Sequence, residues 1–313
     1  MTDSLSLSIQ CVLPVILMIA LGIILRKTGL IWDAGSAQMD KLCFKLLLPL
    51  TLFKNIYNSD FKTDFNGELI LIAVALTLLS FAAAVALAFL KEKDAPKRAA
   101  LAQSIFRNNS VVFGLPIMTV MYGQAQVSMF SLILAFAIPL NNVLAVVLIS
   151  LLTSKKISLA ELVKRVAVNP FVIFCAAALL IKAIGLTLPQ AGVKVVTDLA
   201  AASTPIALLS LGAGLHFGSF RQYAGDIIYG TAARLVLLPL LFMPLLVMIG
   251  VRGAPLTAFY FIIGTPCAVA SYIMAKQMGA DGTLAGHMVV FQSLFSCLTI
   301  FLTLLILGTL GLS

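Results

Sequence analysis

Charged residues are scarce in this chain, and acidic residues are scarcer still. Of 313 residues only 11% are charged and only 12 are acidic, whereas 61% are hydrophobic and the mean hydropathy is +1.09. A soluble domain of this length cannot bury so much apolar surface. The composition therefore excludes a soluble protein and predicts a polytopic membrane protein. The first residues also lack a basic segment and a small-residue cleavage pattern, so we expect the first apolar run to be a permanent span.

The sequence also lacks the spacings that hold a disulfide framework, a metal or a catalytic centre. The two histidines, His216 and His287, lie in different apolar segments without an evident acidic partner. We therefore expect no metal and no cofactor, and a membrane enzyme, which would need a nucleophile, base or metal cluster, is disfavoured. The cysteines form no CxxC pair and no Cys/His cluster, which is typical of small buried apolar residues: Cys11, Cys43, Cys175, Cys267 and Cys297.

Ten apolar runs are long enough to cross a bilayer, which takes about 20 residues. We therefore predict an all-α membrane protein with ten transmembrane helices. The longest polar connection divides them five and five, with residues 1–153 as the first half, 154–168 as a cytoplasmic connecting loop and 169–313 as the second half. The predicted spans cover residues 7–25, 40–57, 68–90, 99–122, 126–152, 168–186, 196–216, 227–250, 255–277 and 284–310.

Basic residues alternate between the connections. Counting Lys45, which lies one turn inside span two, the odd-numbered connections hold 14 Lys and Arg residues and the even-numbered ones hold 5. Because basic loops stay in the cytoplasm, we predict that both termini lie on the non-cytoplasmic side of the cytoplasmic (inner) membrane. Membrane insertion thus explains the net charge of +9, and nucleic acid is not expected as a partner.

The two halves repeat each other. A glycine, a proline and a tyrosine recur at an offset of 150 residues, in Gly114-Leu-Pro116 with Tyr122 and in Gly264-Thr-Pro266 with Tyr272. Because each half has five spans, the second inserts upside down, which predicts an inverted repeat. Further pairs at an offset of 156 support this: Pro14 with Pro170, Gly29 with Gly185, and Pro49 with Pro205.

The matched Gly-x-Pro motifs predict a helix break in span four and another in span nine. Proline removes a backbone donor, and lipid offers no replacement partner. Paired broken helices are typical of secondary transporters, whose binding site lies where the breaks meet. We therefore expect Pro116 and Pro266 to open their helices near the middle of the bilayer.

Polar side chains near these breaks are the candidate binding residues. In span four, Asn108, Asn109 and Ser110 precede Pro116 within about two and a half turns. Asparagine both donates and accepts, and polar side chains inside a membrane tend to face a cavity. The alternative is that these amides bond neighbouring helices as packing contacts. In span five, Asn141 and Asn142 repeat the argument; at most one of them faces the cavity squarely, because adjacent residues diverge by about 100°.

The second break, at Thr265 and Pro266, has few polar side chains, so we expect backbone groups to bind there. Half-helices that meet with their N-termini present partial positive charge, which favours an anion such as a carboxylate. Two arginines lie inside spans. Arg107 could pair with a substrate carboxylate, but we favour snorkelling to the headgroups or a structural pair. For Arg234 the sequence offers no partner.

Acidic residues are nearly absent from the spans, although ion-driven carriers usually place carboxylates there. Three means of coupling stay open. His287, with Gln292 on the same span, could carry a proton; carbonyls and hydroxyls could hold sodium; or the membrane potential alone could drive an anion outward.

Several motifs resemble the auxin efflux carrier family, which includes plant PIN-formed exporters and bacterial carriers of malonate- or malate-like acids. The stretch Asn109–Gly123, reading Asn-Ser-Val-Val-Phe-Gly-Leu-Pro-Ile-Met-Thr-Val-Met-Tyr-Gly, is similar to the family's first crossover helix. The stretch Gly264-Thr-Pro266 is similar to the second, and Pro205–Gly214 resembles the seventh span. The ten-span layout matches along the whole chain, and the short central loop resembles bacterial members.

The resemblance implies a scaffold of spans one, two, six and seven and a transport unit of spans three to five and eight to ten. It implies an elevator motion and a carboxylate site at the crossing of spans four and nine. Asn109 then matches the asparagine that contacts substrate, and Asn141 or Asn142 matches an asparagine of span five. Expected partners are a small organic anion, the lipid bilayer and a coupling ion, H⁺ or Na⁺, with a homodimer left open. The alternative is a sodium-coupled symporter of the bile-acid transporter type.

Overall fold

The computed structural model describes residues 2–58, 66–154, 158–215 and 220–312. Within these ranges all regular secondary structure is helical, without a strand. The first half contains α1 (Thr2–Lys27), α2 (Asp33–Leu42), a π-helical turn (Cys43–Leu47), α3 (Leu48–Asn58), α4 (Gly67–Lys91), α5 (Ala95–Phe106) and α6 (Ser110–Thr153). The second half contains α7 (Leu159–Ala167), α8 (Pro170–Ala183), α9 (Gln190–Gly214), α10 (Phe220–Ala232), a π-helical turn (Ala233–Leu237), α11 (Leu238–Met248), α12 (Gly253–Gly264), α13 (Ala270–Met278) and α14 (Gly282–Thr309).

Long apolar helices confirm a multi-pass membrane protein. Five helical segments in the described ranges are long and apolar enough to cross a bilayer, and the number rises to six if the pair α7–α8, bent by 64°, is one span. Three of the predicted spans consist of shorter pieces instead: α2 to α3, α5 to the start of α6, and α12 to α13. The ten-span count therefore stays a prediction. The five segments are Gly67–Lys91, Gln126–Thr153, Gln190–Gly214, Phe220–Met248 and Gly282–Thr309.

Two glycines that the repeat pairs at an offset of 156 adopt the same unusual backbone conformation. Gly29, after α1, has φ 77°, and Gly185, after α8, has φ 67°. A left-handed residue after a helix suits glycine, because it has no Cβ to clash. A third glycine, Gly123 with φ 75°, divides α6 into a short and a long part. Each of the first two glycines therefore ends a helix, one in the first half of the chain and one in the second.

Both π-helical turns lie just before a proline. The Leu48 N–H donates to the Cys43 carbonyl before Pro49, and the Leu238 N–H donates to the Ala233 carbonyl before Pro239. Proline has no N–H to continue the normal ladder, and the wider turn accommodates its ring. The second turn places Arg234 at the centre of the molecule, where its side chain is fully buried.

One set of helices packs through small residues. Helix α1 packs along α9, where a Cβ at Gly22 would collide with the Leu209 carbonyl and one at Gly212 with the Ile19 carbonyl. Helix α3 packs on α8 and α9, and the hydroxyls of Thr51 and Ser203 lie 2.8 Å apart. Small residues allow this close backbone approach. We call α1, α2, α3, α8 and α9 the outer set and α4, α5, α6 and α10–α14 the inner set.

Three helices of the inner set contact the outer set. Helix α14 packs on α1, helix α6 packs on α1, α3 and α8, and helix α13 packs on α2 and α9.

Candidate functional site

Two helix breaks meet at the centre of the inner set. Helix α5 ends at Phe106 and α6 begins at Ser110, while α12 ends at Gly264 and α13 begins at Ala270. The Asn109 N–H donates to the Pro266 carbonyl across 2.9 Å, so the two breaks touch through their backbones. The expected meeting of the breaks in spans four and nine is present in the structure.

The first break does not lie at Pro116, and that expectation is wrong. Pro116 is inside α6, and the irregular residues are Arg107, Asn108 and Asn109, the last with φ −112° and ψ 44°. Asparagine side chains compete for backbone groups and disfavour helix interiors, so the adjacent pair ends the helix before the proline can. The second break does contain Pro266. The two Gly-x-Pro motifs therefore occupy different places relative to their breaks.

Gly114 has a packing role. A Cβ at this position would lie 2.9 Å from the Phe130 ring and 3.0 Å from Phe261 of α12. Glycine thus allows the first part of α6 to lie directly against α12, which brings the two breaks together.

Arg234 joins the C-terminal ends of the two half-helices that precede the breaks. Its guanidinium donates to the carbonyls of both, and it is fully buried. On α5 it reaches the carbonyls of Ile105 (3.1 Å) and Phe106 (3.3 Å). On α12 it reaches the carbonyls of Ile262 (2.8 Å) and Thr265 (2.7 Å). A cation at two helix C-termini is stabilised by their partial negative charge, which is the partner that the sequence did not reveal.

Gln292 is a second brace at the crossing. Its Oε1 accepts from the Cys267 N–H at 2.9 Å, and its Nε2 donates to the carbonyls of Ser104 (3.2 Å) and Gly230 (3.3 Å). The amide is therefore engaged at both ends with backbone groups from three segments. His287 is buried, and its ring lies 6.1 Å from the ring of Phe220.

A cavity of about 100 Å³ opens beside the crossing, between the two sets of helices. None of its lining residues is acidic, and one, Arg107, is basic. Its polar lining residues come from the first break (Arg107, Asn108, Asn109, Ser110), from α6 (Asn141, Asn142), from α3 (Thr51, Asn55) and from α9 (Thr204). Neither His287 nor Gln292 lines it, so the two candidate coupling residues lie apart from this cavity.

Arg107 does not snorkel to the membrane surface. It is 4% exposed, and its guanidinium donates to Asn142 Oδ1 at 2.7 Å and to Gln103 Oε1 at 3.3 Å. None of the carboxylates in the described ranges lies within 4.0 Å of it. The cavity therefore has a buried cation that is held by neutral amides, and a carboxylate could neutralise it.

Three amide atoms beside this cavity are buried without a hydrogen-bond partner: Asn108 Nδ2, Asn109 Nδ2 and Asn141 Oδ1. A buried polar group without a partner is costly, and such groups are usually paired. Two of the three are donors. A ligand with acceptor oxygens would pair them.

The remaining candidate residues already have partners. Asn142 accepts from Arg107 and donates to the Ile138 carbonyl at 2.8 Å. The Ser110 hydroxyl lies 2.8 Å from the Phe261 carbonyl, and the Thr265 hydroxyl donates to the same carbonyl at 2.7 Å.

The two prolines also lie outside the cavity lining. The Pro266 carbonyl accepts from the Asn109 N–H, and Pro116 lines an adjoining, largely apolar cavity of about 340 Å³ that shares Val112 and Thr204 with the first.

Three polar lining residues were missed by sequence reasoning: Thr51, Asn55 and Thr204. The spacing of Thr51 and Asn55, four residues apart in an apolar run, could have placed them on one helix face. Which neighbour that face meets follows only from the packing of α3 against the crossing.

The electrostatics of the crossing favour an anion. The N-termini of α6 and α13 begin at Ser110 and Ala270, which both line the cavity, whereas Arg234 occupies the opposite, C-terminal ends of α5 and α12. Helix N-termini carry partial positive charge and bind anions through free N–H groups. Arg107 lies beside these N-termini and no acidic residue lines the cavity, so the charged groups of the lining favour an anion.

Comparison with known proteins identifies the family of this chain. The family model described as "Membrane transport protein" matches residues 7–304. A protein of Methanothermobacter thermautotrophicus described as an "uncharacterized transporter" is 22% identical over 299 residues, covering 94% of this chain and 96% of its own length. The chain therefore belongs to the membrane transport protein family, which is the auxin efflux carrier family that its crossover motifs resemble.

Proposed function

We propose that this protein is a secondary transporter of a small organic anion, and that the anion's carboxylate binds beside the crossing. The observation that carries the proposal is the pair of unpartnered amide donors, Asn108 Nδ2 and Asn109 Nδ2, in a cavity that also contains the Arg107 cation. A carboxylate presents two oxygens and a negative charge, so one group could satisfy both donors and the arginine.

The dimensions of the cavity favour a small substrate. At about 100 Å³ it is well below the roughly 300–1,000 Å³ typical of sites for drug-sized ligands. A second cavity of about 160 Å³ shares Asn55, Val111 and Ile138 with it and extends to Asn58 at the end of α3. This neighbouring space lies between the site and the Asn58 end of α3.

We further propose that the chain folds as two inverted five-span repeats and works as an elevator. The outer set then serves as the scaffold of spans one, two, six and seven, and the inner set as the moving unit. Support comes from the braces at the crossing, because Arg234 and Gln292 tie α5, α10, α12 and α14 into one body. The cavity is lined from both sets, which is where a moving site would meet a static wall.

The same proposal places the protein in the cytoplasmic membrane with both termini outside the cytoplasm, as the alternation of basic connections predicts. Asn141 Oδ1, also unpartnered, would accept a hydrogen bond from a hydroxyl or a protonated acid group of the substrate.

Asn109→Ala tests the site. We expect the variant to lose both ligand-induced thermal stabilisation by mono- and dicarboxylates and their flux into proteoliposomes. Its stability without ligand should stay near wild type, because the substitution removes a buried donor that has no partner. Asn66→Ser, a conservative change at the N-cap of α4, is the matched control that should leave binding and flux intact.

Unchanged carboxylate flux by Asn109→Ala would remove this residue from the site. Replacing sodium with choline in the same flux assay separates this proposal from a sodium-coupled symporter, whose flux would stop.

A further inference from the structure

An ion pair between a buried carboxylate and a partly exposed ammonium group joins the two sets of helices at a distance from the crossing. Asp40 of α2 is fully buried, and its Oδ2 lies 2.6 Å from Lys276 Nζ of α13. The other ion pairs in the described ranges lie within one set of helices or within α7: Arg26–Asp33, Lys91–Asp226, Arg165–Glu161 and Lys194–Asp198.

The outer set holds Asp40 firmly in place. The Ser210 hydroxyl of α9 donates to Asp40 Oδ1 at 2.5 Å, and the hydroxyls of Ser210 and Ser36 lie 3.1 Å apart. All three groups are buried. A buried carboxylate needs hydrogen bonds as well as a counter-charge. Here Ser210 of α9 supplies a hydrogen bond, Ser36 of α2 contacts Ser210, and the inner set supplies the charge.

The inner set holds Lys276 from the other side. Lys276 Nζ donates to the Tyr272 hydroxyl at 3.1 Å, and both residues lie on α13. The Tyr272 side chain lies close against the end of α9: a Cβ at Gly214 would lie 2.5 Å from the Tyr272 hydroxyl oxygen. Tyr272 and Lys276 thus form one contact surface toward the outer set.

The position of this contact along α13 couples it to the cavity. Helix α13 begins at Ala270, which lines the cavity, and Lys276 follows six residues later, or about 9 Å along the helix. Any movement of the second break relative to the outer set therefore has to separate Lys276 from Asp40.

The Asp40–Lys276 ion pair and the second cavity lie toward opposite ends of the outer set. From Asp40, α2, the π-helical turn and α3 run without interruption to Asn58, which lines the second cavity. Those 18 residues correspond to roughly 27 Å of helical rise. Asp40 and Lys276 also adjoin the odd-numbered, basic connections, whereas Asn58 adjoins an even-numbered one.

We propose that Asp40 and Lys276 form a latch that keeps the inner set closed against the outer set on the basic, cytoplasmic side while the cavity faces the opposite side. The latch rests on the proposed transport function, and it has to open each time the site moves across the membrane. Breaking it shifts the resting population toward the state in which the cavity faces the cytoplasm.

The test measures exposure of the cavity instead of transport, so it does not depend on the substrate. Ser131→Cys places a thiol at the second cavity, and a membrane-impermeant maleimide is added to the non-cytoplasmic side of oriented vesicles. Combining it with Asp40→Asn and Lys276→Met together removes both charges, so that no unpaired charge stays buried. We expect labelling to slow by about fivefold or more.

The exposed pair within α9, Lys194 and Asp198, supplies the matched control, because its neutralisation breaks an ion pair without separating the two sets. Ser210→Ala, which removes only a hydrogen bond to Asp40, should slow labelling less and in the same direction. This milder variant also keeps the latch testable if the double variant fails to insert.

Wild-type labelling rates in the double variant or in Ser210→Ala would overturn the latch. Slower labelling in a protein that binds and moves no carboxylate would support the latch and refute the proposed function, so the two failures are distinguishable.

Discussion

Replacing Arg234 should loosen the crossing, and a native cysteine can report it. Arg234→Met removes four hydrogen bonds to the carbonyls of α5 and α12. Polar contacts between membrane helices contribute about 0.6–1.7 kcal/mol each, so the four sum to roughly 2–7 kcal/mol. Loss of the buried charge offsets part of this, because its desolvation is also removed. We expect a net loss of about 3 kcal/mol in the free energy that holds the crossing closed.

Cys267 lies in the second break and is fully buried. Its reaction with a maleimide therefore requires the crossing to open. Because about 1.4 kcal/mol corresponds to a factor of ten, labelling of Cys267 should accelerate about 100-fold in Arg234→Met. Arg234→Lys keeps the charge but has three donors for four carbonyls, so it should accelerate labelling by about tenfold, the equivalent of one lost bond. Peptide-level mass spectrometry separates Cys267 from the other cysteines.

Arg252→Met is the matched control. This arginine lies at the opposite end of α12 and also donates to carbonyls, those of Val247 (2.6 Å) and Val251 (2.8 Å), but toward the exposed surface. It should change Cys267 labelling less than about threefold, because exposed groups find water when they lose a partner. If Arg234→Met labels no faster than Arg252→Met, the argument that Arg234 holds the crossing is refuted.

Two further predictions concern helix packing and the membrane surface. Gly212→Ala should lower the melting temperature by several degrees, because its Cβ would meet the Ile19 carbonyl, whereas Gly192→Ala in the same helix has open space and should not. On α7, Val163 is 59% exposed on the apolar face, and the charged residues lie on the opposite face. An amphipathic helix of this kind lies at the membrane surface with its apolar face toward the lipid. Bimane attached at Val163→Cys should therefore be quenched by spin-labelled lipid headgroups, and bimane at Lys164→Cys should not. Equal melting for the two glycine variants, or equal quenching at the two α7 positions, would contradict these assignments.

Several residues of the site could be predicted from the sequence. Asn108 and Asn109 stand out as adjacent amides in an apolar run, and the structure places both at the cavity. The position of the break could not be predicted, because proline and asparagine both disrupt helices and no local pattern ranks one above the other. The structure shows that the asparagine pair ends α5 and that Pro116 is accommodated inside α6.

The two buried charges show the same limit. Arg234 has no acidic residue nearby in sequence, because its partners are backbone carbonyls of two other helices. Asp40 is the first residue of the predicted second span, and no partner for it is evident nearby in sequence. The structure buries it fully against Lys276, more than 200 residues away. Helix ends and long-range ion pairs leave no periodic signal along the chain.

Composition and the spacing of apolar runs determined that this chain is a helical membrane protein, because a bilayer demands long apolar helices whatever their arrangement. The motifs along those runs determined its family. The tertiary structure alone decided which polar groups meet: the carbonyls at Arg234, the unpartnered amides beside Arg107, and the carboxylate that receives Lys276. These contacts depend on how helices distant in sequence cross, and crossing is set by packing between side chains that no local pattern records.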